Sequence, residues 1–207
     1  MNKLLNLYGV KIHSECAFLS YLRDSRNEIE AFSSSYLQRK IGNLLFSIPA
    51  NEASSGLNQV VPFLGSSDSW DGLISRPETE ASQDSVSIKP KIEGNYTRDS
   101  LMFLPNQTDV GFNTTVGNEV TFKPSGILIG LNSEHGDTKF GHPDETVNGW
   151  IQKVRFVPAV REKSFSIGAR REILVETKYG LLVLADLKGL SRGLDAGEQI
   201  SCQCVLT

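Results

Sequence analysis

Two histidines and four carboxylates lie close together between positions 134 and 145. His135 and Asp137 form a His-x-Asp pair, and His142 and Asp144 follow a few residues later. Imidazole and carboxylate groups are ligands for zinc, manganese or non-haem iron, and His-x-Asp is the local part of a facial iron triad. A triad needs a distant third ligand, however, and no histidine follows His142. Glycine, proline and aspartate also favour a surface turn. Two hypotheses stand here, a turn and a metal-dependent active site, and the turn is the simpler one.

Six cationic residues cluster between positions 153 and 171. Lys153 and Arg155 are expected on one face of a strand, with Val154 and Phe156 on the other. Aromatic residues nearby in the sequence make a surface for single-stranded nucleic acid conceivable. Glutamates lie among these cations, and the aromatics are expected mostly to face the core. Both features favour a mixed-charge solvated face over a nucleic-acid surface. The candidate nucleic-acid-binding residues are Lys153, Arg155, Arg161, Lys163, Arg170 and Arg171.

Two further patterns are better explained by structure than by chemistry. Cys202 and Cys204 fall on the same face of a strand, but a single Cys-x-Cys without a second pair predicts buried small side chains. The glycine-bearing stretch 188–193 lacks the order of a phosphate-binding loop and is expected to connect two strands. No serine lies in a G-x-S-x-G turn. The sequence therefore predicts no cofactor and offers no pairing of a nucleophile with a base.

Composition limits the possible classes of protein. The chain has 207 residues, 39% hydrophobic and 22% charged, with a net charge of -3, which predicts one folded domain. The negative balance gives no global attraction to nucleic acid. No apolar run approaches the roughly 20 residues of a membrane span, and the N-terminal residues lack the pattern of a secretory signal. Three cysteines favour a reducing compartment, and we expect a cytoplasmic or virion location.

Apolar residues at helical spacing dominate the N-terminal part. Ser25 and Glu28 match a capping box, and the spacing from there predicts an amphipathic helix over 26–47 that ends before Pro49. A shorter helix with Ser14 as its N-cap is expected to precede it, with Cys16, Leu19 and Leu22 along one side. Together the two would form a helical hairpin or one kinked helix.

A polar stretch over 51–87 separates this part from a strand-like half. It is predicted to be either a long loop anchored by two apolar clusters or an insertion that carries short strands. Beyond it, Glu172–Glu176 and Leu181–Leu184 flank a turn in which Gly180 can adopt a left-handed conformation, which predicts a hairpin. A final strand is expected from Gln199 to Leu206.

These patterns predict an α+β fold, in which N-terminal amphipathic helices precede a mainly antiparallel β-sandwich or partly open barrel. The regions are a helical part over 1–50, a polar connection over 51–87 and a β-rich part over 88–207. We expect a non-enzymatic structural or assembly subunit of a larger complex, with a phage-type virion component as its most specific form. Its partners would be other proteins or copies of itself. The alternatives are a nucleic-acid-binding module that uses the basic strand, and a metal-dependent enzyme centred on His135 and His142.

Overall fold

A computed structural model describes residues 3–24, 29–32, 36–50, 56–65, 68–75, 85–104, 115–131 and 145–207. Within these ranges the chain is mostly β, with two short helices and one 3₁₀ turn, and no described helix is long and apolar enough to span a membrane. In chain order the elements are α1 (Lys3–Leu7), β1 (Val10–Ile12), α2 (Glu15–Arg23), β2 (Ile29–Phe32), β3 (Tyr36–Ile41), β4 (Leu44–Pro49), the 3₁₀ turn Leu57–Gln59, β5 (Val61–Leu64), β6 (Trp70–Ser75), β7 (Val86–Ile92), β8 (Asn95–Tyr96), β9 (Leu101–Phe103), β10 (Glu119–Phe122), β11 (Ser125–Leu131), β12 (Glu145–Val157), β13 (Val160–Arg161), β14 (Phe165–Ile167), β15 (Arg170–Thr177), β16 (Gly180–Asp186) and β17 (Gln199–Leu206).

Five strands close into a small barrel. Around it the order is β11, β16, β15, β12 and β17, and β17 pairs back onto β11. Every neighbouring pair is antiparallel except β11 with β16. Closure leaves these five strands without an edge, so their positions are held from both sides. The β-rich architecture expected for the second half is confirmed, with a closed barrel where a sandwich or partly open barrel was predicted.

The predicted hairpin and final strand are both present. Thr177 pairs with Gly180 across the turn between β15 and β16, and Gly180 has a φ of +124°. The Thr177 hydroxyl donates to the Gly180 carbonyl at 2.8 Å and accepts from the Tyr179 N–H at 3.1 Å. Glycine is required here because other L-residues rarely adopt such a φ. The final strand β17 has the predicted limits.

The sheet continues beyond the barrel. From β17 it runs through β9, β7 and β6 to β10, with β8 paired to β7. The ring of Trp70 on β6 packs against Tyr179, and its Nε1 donates to the Leu181 carbonyl at 3.2 Å. This tryptophan therefore fastens the extension to the barrel hairpin. Both β5 and β6 come from the polar stretch 51–87, so its two apolar clusters are short strands.

The predicted helix over 26–47 is wrong. This part of the chain forms β2, β3 and β4, which continue into β5 as a four-stranded antiparallel sheet. A two-residue turn of Gly42 and Asn43 joins Ile41 to Leu44, and Gly42 has a φ of +58°. A Gly-Asn pair between apolar runs is typical of a hairpin, and Phe46 and Ile48 continue the alternation from Leu44. The capping box at 25–28 lies outside the described residues.

The shorter N-terminal helix is confirmed as α2, with Ser14 at its N-cap position, although the Ser14 side chain makes no capping hydrogen bond. Its buried residues are Phe18 and Leu22, whereas Cys16, predicted on the apolar side, is exposed. Arg39 on β3 is fully buried and donates from Nε to the Leu22 carbonyl at 2.9 Å and from Nη2 to the Asp24 carbonyl. Since the last carbonyls of a helix lack partners within it, Arg39 supplies the C-terminal cap.

Two hydrophobic cores lie on opposite sides of the barrel wall. The inner core fills the barrel and extends under the added sheet, and it contains Ile173, Val175, Leu182, Leu184, Cys202 and Cys204 among others. The outer core lies between the barrel wall and the N-terminal elements, and it contains Phe18, Leu44, Phe46, Ile127, Val183 and Ala185 among others. The N-terminal half thus covers the outer face of β11 and β16.

A third, three-stranded sheet in the order β1, β14 and β13 adjoins α1.

Candidate functional site

The long barrel strand β12 contains a β-bulge at Gln152. Ile151 and Lys153 pair with consecutive residues of β15, which leaves Gln152 as an extra residue between them. A bulge shifts the alternation of the side chains that follow it by one position. Trp150 and Lys153 are therefore on the same face of the strand, although their spacing of three residues would place them on opposite faces of a regular strand.

That face is the outside of the barrel. Ile151 belongs to the inner core and Val154 packs against it, so the residues that alternate with them point outward. We call Trp150, Lys153 and Arg155 the outer row. Phe156 follows Arg155 and pairs with Arg171, which places it on the opposite face of β12.

Gly149 keeps β12 close to β15 next to the outer row. A Cβ atom at this position would lie 2.3 Å from the Glu176 carbonyl oxygen and 2.6 Å from Cγ1 of Val175. Neither distance is possible without a shift, and the first partner is backbone. An isolated glycine inside a strand often marks a bulge or a close backbone approach. The strand pairing that precedes the bulge thus depends on glycine.

Trp150 is the exposed aromatic residue of the outer row. Its relative exposure is 53%, and its pairing partners, Glu176 on β15 and Gln199 on β17, are both exposed polar residues. The Gln152 amide donates to the Glu176 carboxylate at 2.5 Å and so keeps that charge beside the bulge. Trp150 is thus a half-exposed indole flanked by polar side chains, on a strand that is paired on both sides.

At the other end of the outer row, two arginines share the carboxylate of Glu172. Arg155 contacts Oε2 through Nε at 2.7 Å and Nη2 at 2.5 Å. Arg170 contacts Oε1 through Nε at 2.9 Å, and its Nη2 lies 2.8 Å from the same oxygen without the angle of a hydrogen bond. The side chains of Glu172 and Arg170 are 2% and 1% exposed, whereas that of Arg155 is 50% exposed. Burial lowers the pKa of Arg170, and the charge of Glu172 opposes this shift.

A cavity of about 260 Å³ opens beside this ion network. Cationic and apolar groups share its walls, with the glutamate at one side. The lining residues are Gly65, Lys153, Arg155, Glu172, Leu174 and Val183. It lies where the end of β5 meets the outer face of the barrel, so two halves of the fold create it together.

The six predicted nucleic-acid-binding residues do not form one surface. Lys153 and Arg155 belong to the outer row, and Arg170 is buried behind it. Arg161 and Lys163 are exposed on and beside β13, in a different sheet. Arg171 donates to the carbonyls of residues 191 and 194 at 2.7 Å and 3.2 Å, so it fixes the loop before β17.

Asp186 organises the same loop, which is the glycine-bearing connection predicted between strands. Its buried carboxylate accepts from the N–H groups of Lys188, Leu190 and Ser191 and from the Ser191 hydroxyl, at 2.6 to 3.1 Å. Burial alone would raise the pKa of Asp186, but these hydrogen bonds together outweigh it and hold the pKa below its usual value. The loop is therefore a folded structural element.

The predicted metal ligands His135, Asp137, His142 and Asp144 lie outside the described residues. Within the described ranges, no three His, Cys, Asp or Glu side chains are grouped closely enough to hold a metal ion. Cys202 and Cys204 are buried on the inner face of β17, and the Cys204 thiol lies 3.6 Å from the Glu145 carbonyl oxygen. Burial, the interpretation favoured for these cysteines, is confirmed.

Sequence reasoning missed Trp150. A regular alternation through β12 would place it with Val154 and Phe156, on the face expected to be buried. The structure shows that Phe156, at 69% exposure, is outside the core, so the expectation that the aromatics mostly face the core is wrong for this residue. Phe165, in contrast, is fully buried. Gly149 was the available signal, because glycine inside a strand points to a bulge or a close approach.

No protein-family model matches the chain, and no curated protein matches it.

Proposed function

We propose that this chain is a non-enzymatic assembly subunit that binds another protein, a partner or a further copy of itself, through the outer row of β12. The observation that carries the proposal is Trp150, half exposed on a strand of a closed barrel and followed on the same face by Lys153 and Arg155. Tryptophan and arginine are the residue types most often found at the centre of protein interfaces.

Burial of the exposed part of Trp150 by a partner would contribute substantially to the binding free energy. Covering its exposed half would remove on the order of 100 Å² from water, about 2.5 kcal/mol at roughly 25 cal/mol per Å². That free energy corresponds to a factor of about 70 in a dissociation constant. Tryptophan is among the residues enriched at interface hot spots, and a partner that covered Trp150 and its polar neighbours would exclude water from the ring.

The position of Trp150 is also fixed before binding. β12 pairs with β15 on one side and with β17 on the other, and Trp150 has a register partner on each. Because little backbone ordering remains for the binding step, less of the contact energy is lost to entropy.

The test compares the wild-type chain with Trp150→Ala and Phe156→Ala. Each tagged chain is purified from the organism that encodes it, and native mass spectrometry measures its oligomeric state and its stoichiometric partners. Phe156→Ala is the matched control, since it removes a more exposed aromatic residue from the opposite face of the same strand.

We expect the wild type and Phe156→Ala to remain in the same complex, whereas Trp150→Ala dissociates. A monomeric, partner-free wild type would contradict the proposal, and so would equal loss of the complex in both variants. A phage-type virion component is the most specific form of the proposal, and the presence of the chain in purified particles would test that form.

Binding of single-stranded nucleic acid is the second candidate function. The bulge favours it by bringing an aromatic ring onto the same face as two cations, the combination that such surfaces use. Glu172 and Glu176 border the row, however, and the whole chain is negatively charged. Filter binding of an oligonucleotide at two salt concentrations tests this candidate, because phosphate contacts weaken steeply with salt.

A further inference from the structure

We infer that the cavity beside the outer row is a subsite for a carboxylate side chain of the protein partner, so that the partner presents an acidic segment. The subsite deepens the proposed function and rests on it, since it names the chemistry of the surface that would cover the outer row. It is formed by Lys153 and Arg155 as donors, with Leu174 and Val183 as its apolar wall.

Both cations retain donors for a ligand. Arg155 uses Nε and Nη2 to contact Glu172, and the described part of the chain gives its Nη1 no partner. The Lys153 ammonium group is exposed and likewise has no partner among the described residues. A guanidinium edge and an ammonium group that line one small cavity are the donors that bind a carboxylate well.

The charges around the cavity are not balanced. Among the residues that the structure describes at this end of the row, Lys153, Arg155 and Arg170 surround one carboxylate, that of Glu172, which leaves an excess of two positive charges. Glu176 lies at the other end, beside Trp150, and is bonded by Gln152. An anion in the cavity would therefore meet a positive potential inside a face that is otherwise mixed in charge.

The cavity suits a carboxylate better than a phosphate. Leu174 and Val183 supply an apolar surface against which the methylene groups of a glutamate can pack. A phosphate group has no comparable methylene chain that could pack against this apolar wall.

The test measures binding of a blocked hexaglutamate peptide to the purified full chain by heteronuclear NMR at 20 and 300 mM NaCl. Inorganic phosphate and a six-nucleotide thymidine oligomer are titrated in parallel as competing anions. The variants are Lys153→Gln and the matched control Lys163→Gln, which removes an exposed lysine beside β13, a strand of a different sheet.

We expect the peptide to shift the amide signals of residues 153, 155 and 174 and to bind more weakly at the higher salt concentration. Lys153→Gln should weaken binding of the peptide two- to fivefold, whereas Lys163→Gln should bind it as the wild type does. Tighter binding of phosphate or of the oligonucleotide overturns the inference, as does a peptide that shifts none of these signals. The two proposals fail separately: a wild-type chain that assembles through Trp150 but does not bind the peptide overturns the inference alone, whereas a wild-type chain that stays monomeric and free of partners overturns the proposed function.

Discussion

Replacement of Glu172 by glutamine isolates the contribution of the negative charge that Arg155 and Arg170 share. The substitution keeps the shape of the side chain and one acceptor oxygen, but it removes the negative charge shared by Arg155 and Arg170. Arg170 is almost completely buried and would keep its positive charge beside a neutral amide. Arg155 is half exposed and can turn its guanidinium group to water.

The two ion pairs of Glu172 are therefore expected to contribute very differently to the free energy of unfolding. Removal of one partner from a buried ion pair costs about 3 to 5 kcal/mol, because the remaining charge is left uncompensated. A pair with one exposed partner contributes at most about 1 kcal/mol. Glu172→Gln should thus lower the free energy of unfolding by about 3 kcal/mol or more, whereas Arg155→Gln should lower it by about 1 kcal/mol or less.

Equilibrium unfolding in urea measures both values. With a slope of about 2 kcal/mol per M, a loss of 3 kcal/mol lowers the midpoint by about 1.5 M, and a loss of 1 kcal/mol by about 0.5 M. Equal losses in the two variants would refute the assignment of the energy to Arg170. A loss below about 1 kcal/mol for Glu172→Gln would refute the buried network as a stabilising element.

Two further predictions concern the loop and the bulge. Asp186→Asn should cost about 2 to 3 kcal/mol at neutral pH, since a charged acceptor of several hydrogen bonds is lost. Because the folded state depresses the pKa of Asp186, this advantage of the wild type is complete above about pH 4, the ordinary value, and is lost as the pH falls through the folded pKa. Urea unfolding between pH 7 and pH 2 measures it, and an advantage that does not shrink as the pH falls below about 4 would contradict it. Gly149→Ala should cost about 3 kcal/mol, since its Cβ would collide with the Glu176 carbonyl oxygen and overpacking costs about 1 to 3 kcal/mol or more. In Gly168→Ala the nearest atom would be an ordinary contact 3.7 Å away, so thermal unfolding should separate the two variants, and equal melting temperatures would speak against the close approach at Gly149.

The sequence predicted the fold best where strands that are adjacent in the chain pair with each other. The hairpin of β15 and β16 follows from alternation and one glycine, and both the turn and its neighbouring strands are as predicted. The helix over 26–47 failed because Leu37, Ile41, Leu44 and Ile48 satisfy a helical period as well as a strand period. Only the Gly42-Asn43 turn distinguishes the two, and the burial of Leu44, Phe46 and Ile48 on β4 depends on a barrel wall built from residues far along the chain.

The candidate site shows the same limit. Lys153 and Arg155 could be assigned to one face of a strand from their spacing alone. Trp150 could not, because the bulge at Gln152 changes which face it occupies. The pairing of Arg155 and Arg170 with Glu172 was also beyond the sequence pattern, since it depends on how deeply each residue of β15 is buried. Which residues come together at the site therefore depends on strand pairing and packing between distant parts of the chain, which the sequence pattern does not contain.

Acrylamide quenching of tryptophan fluorescence tests the central claim most directly. The chain has two tryptophans, Trp70 is buried, and Trp150 is half exposed, so the quenchable emission of the dissociated chain comes from the outer row. If the outer row is the interface, quenching should fall steeply when the native complex forms and should return when the complex is dissociated by dilution. Equal quenching in the assembled and dissociated states would show that Trp150 stays in water, and would contradict an interface on this face of β12.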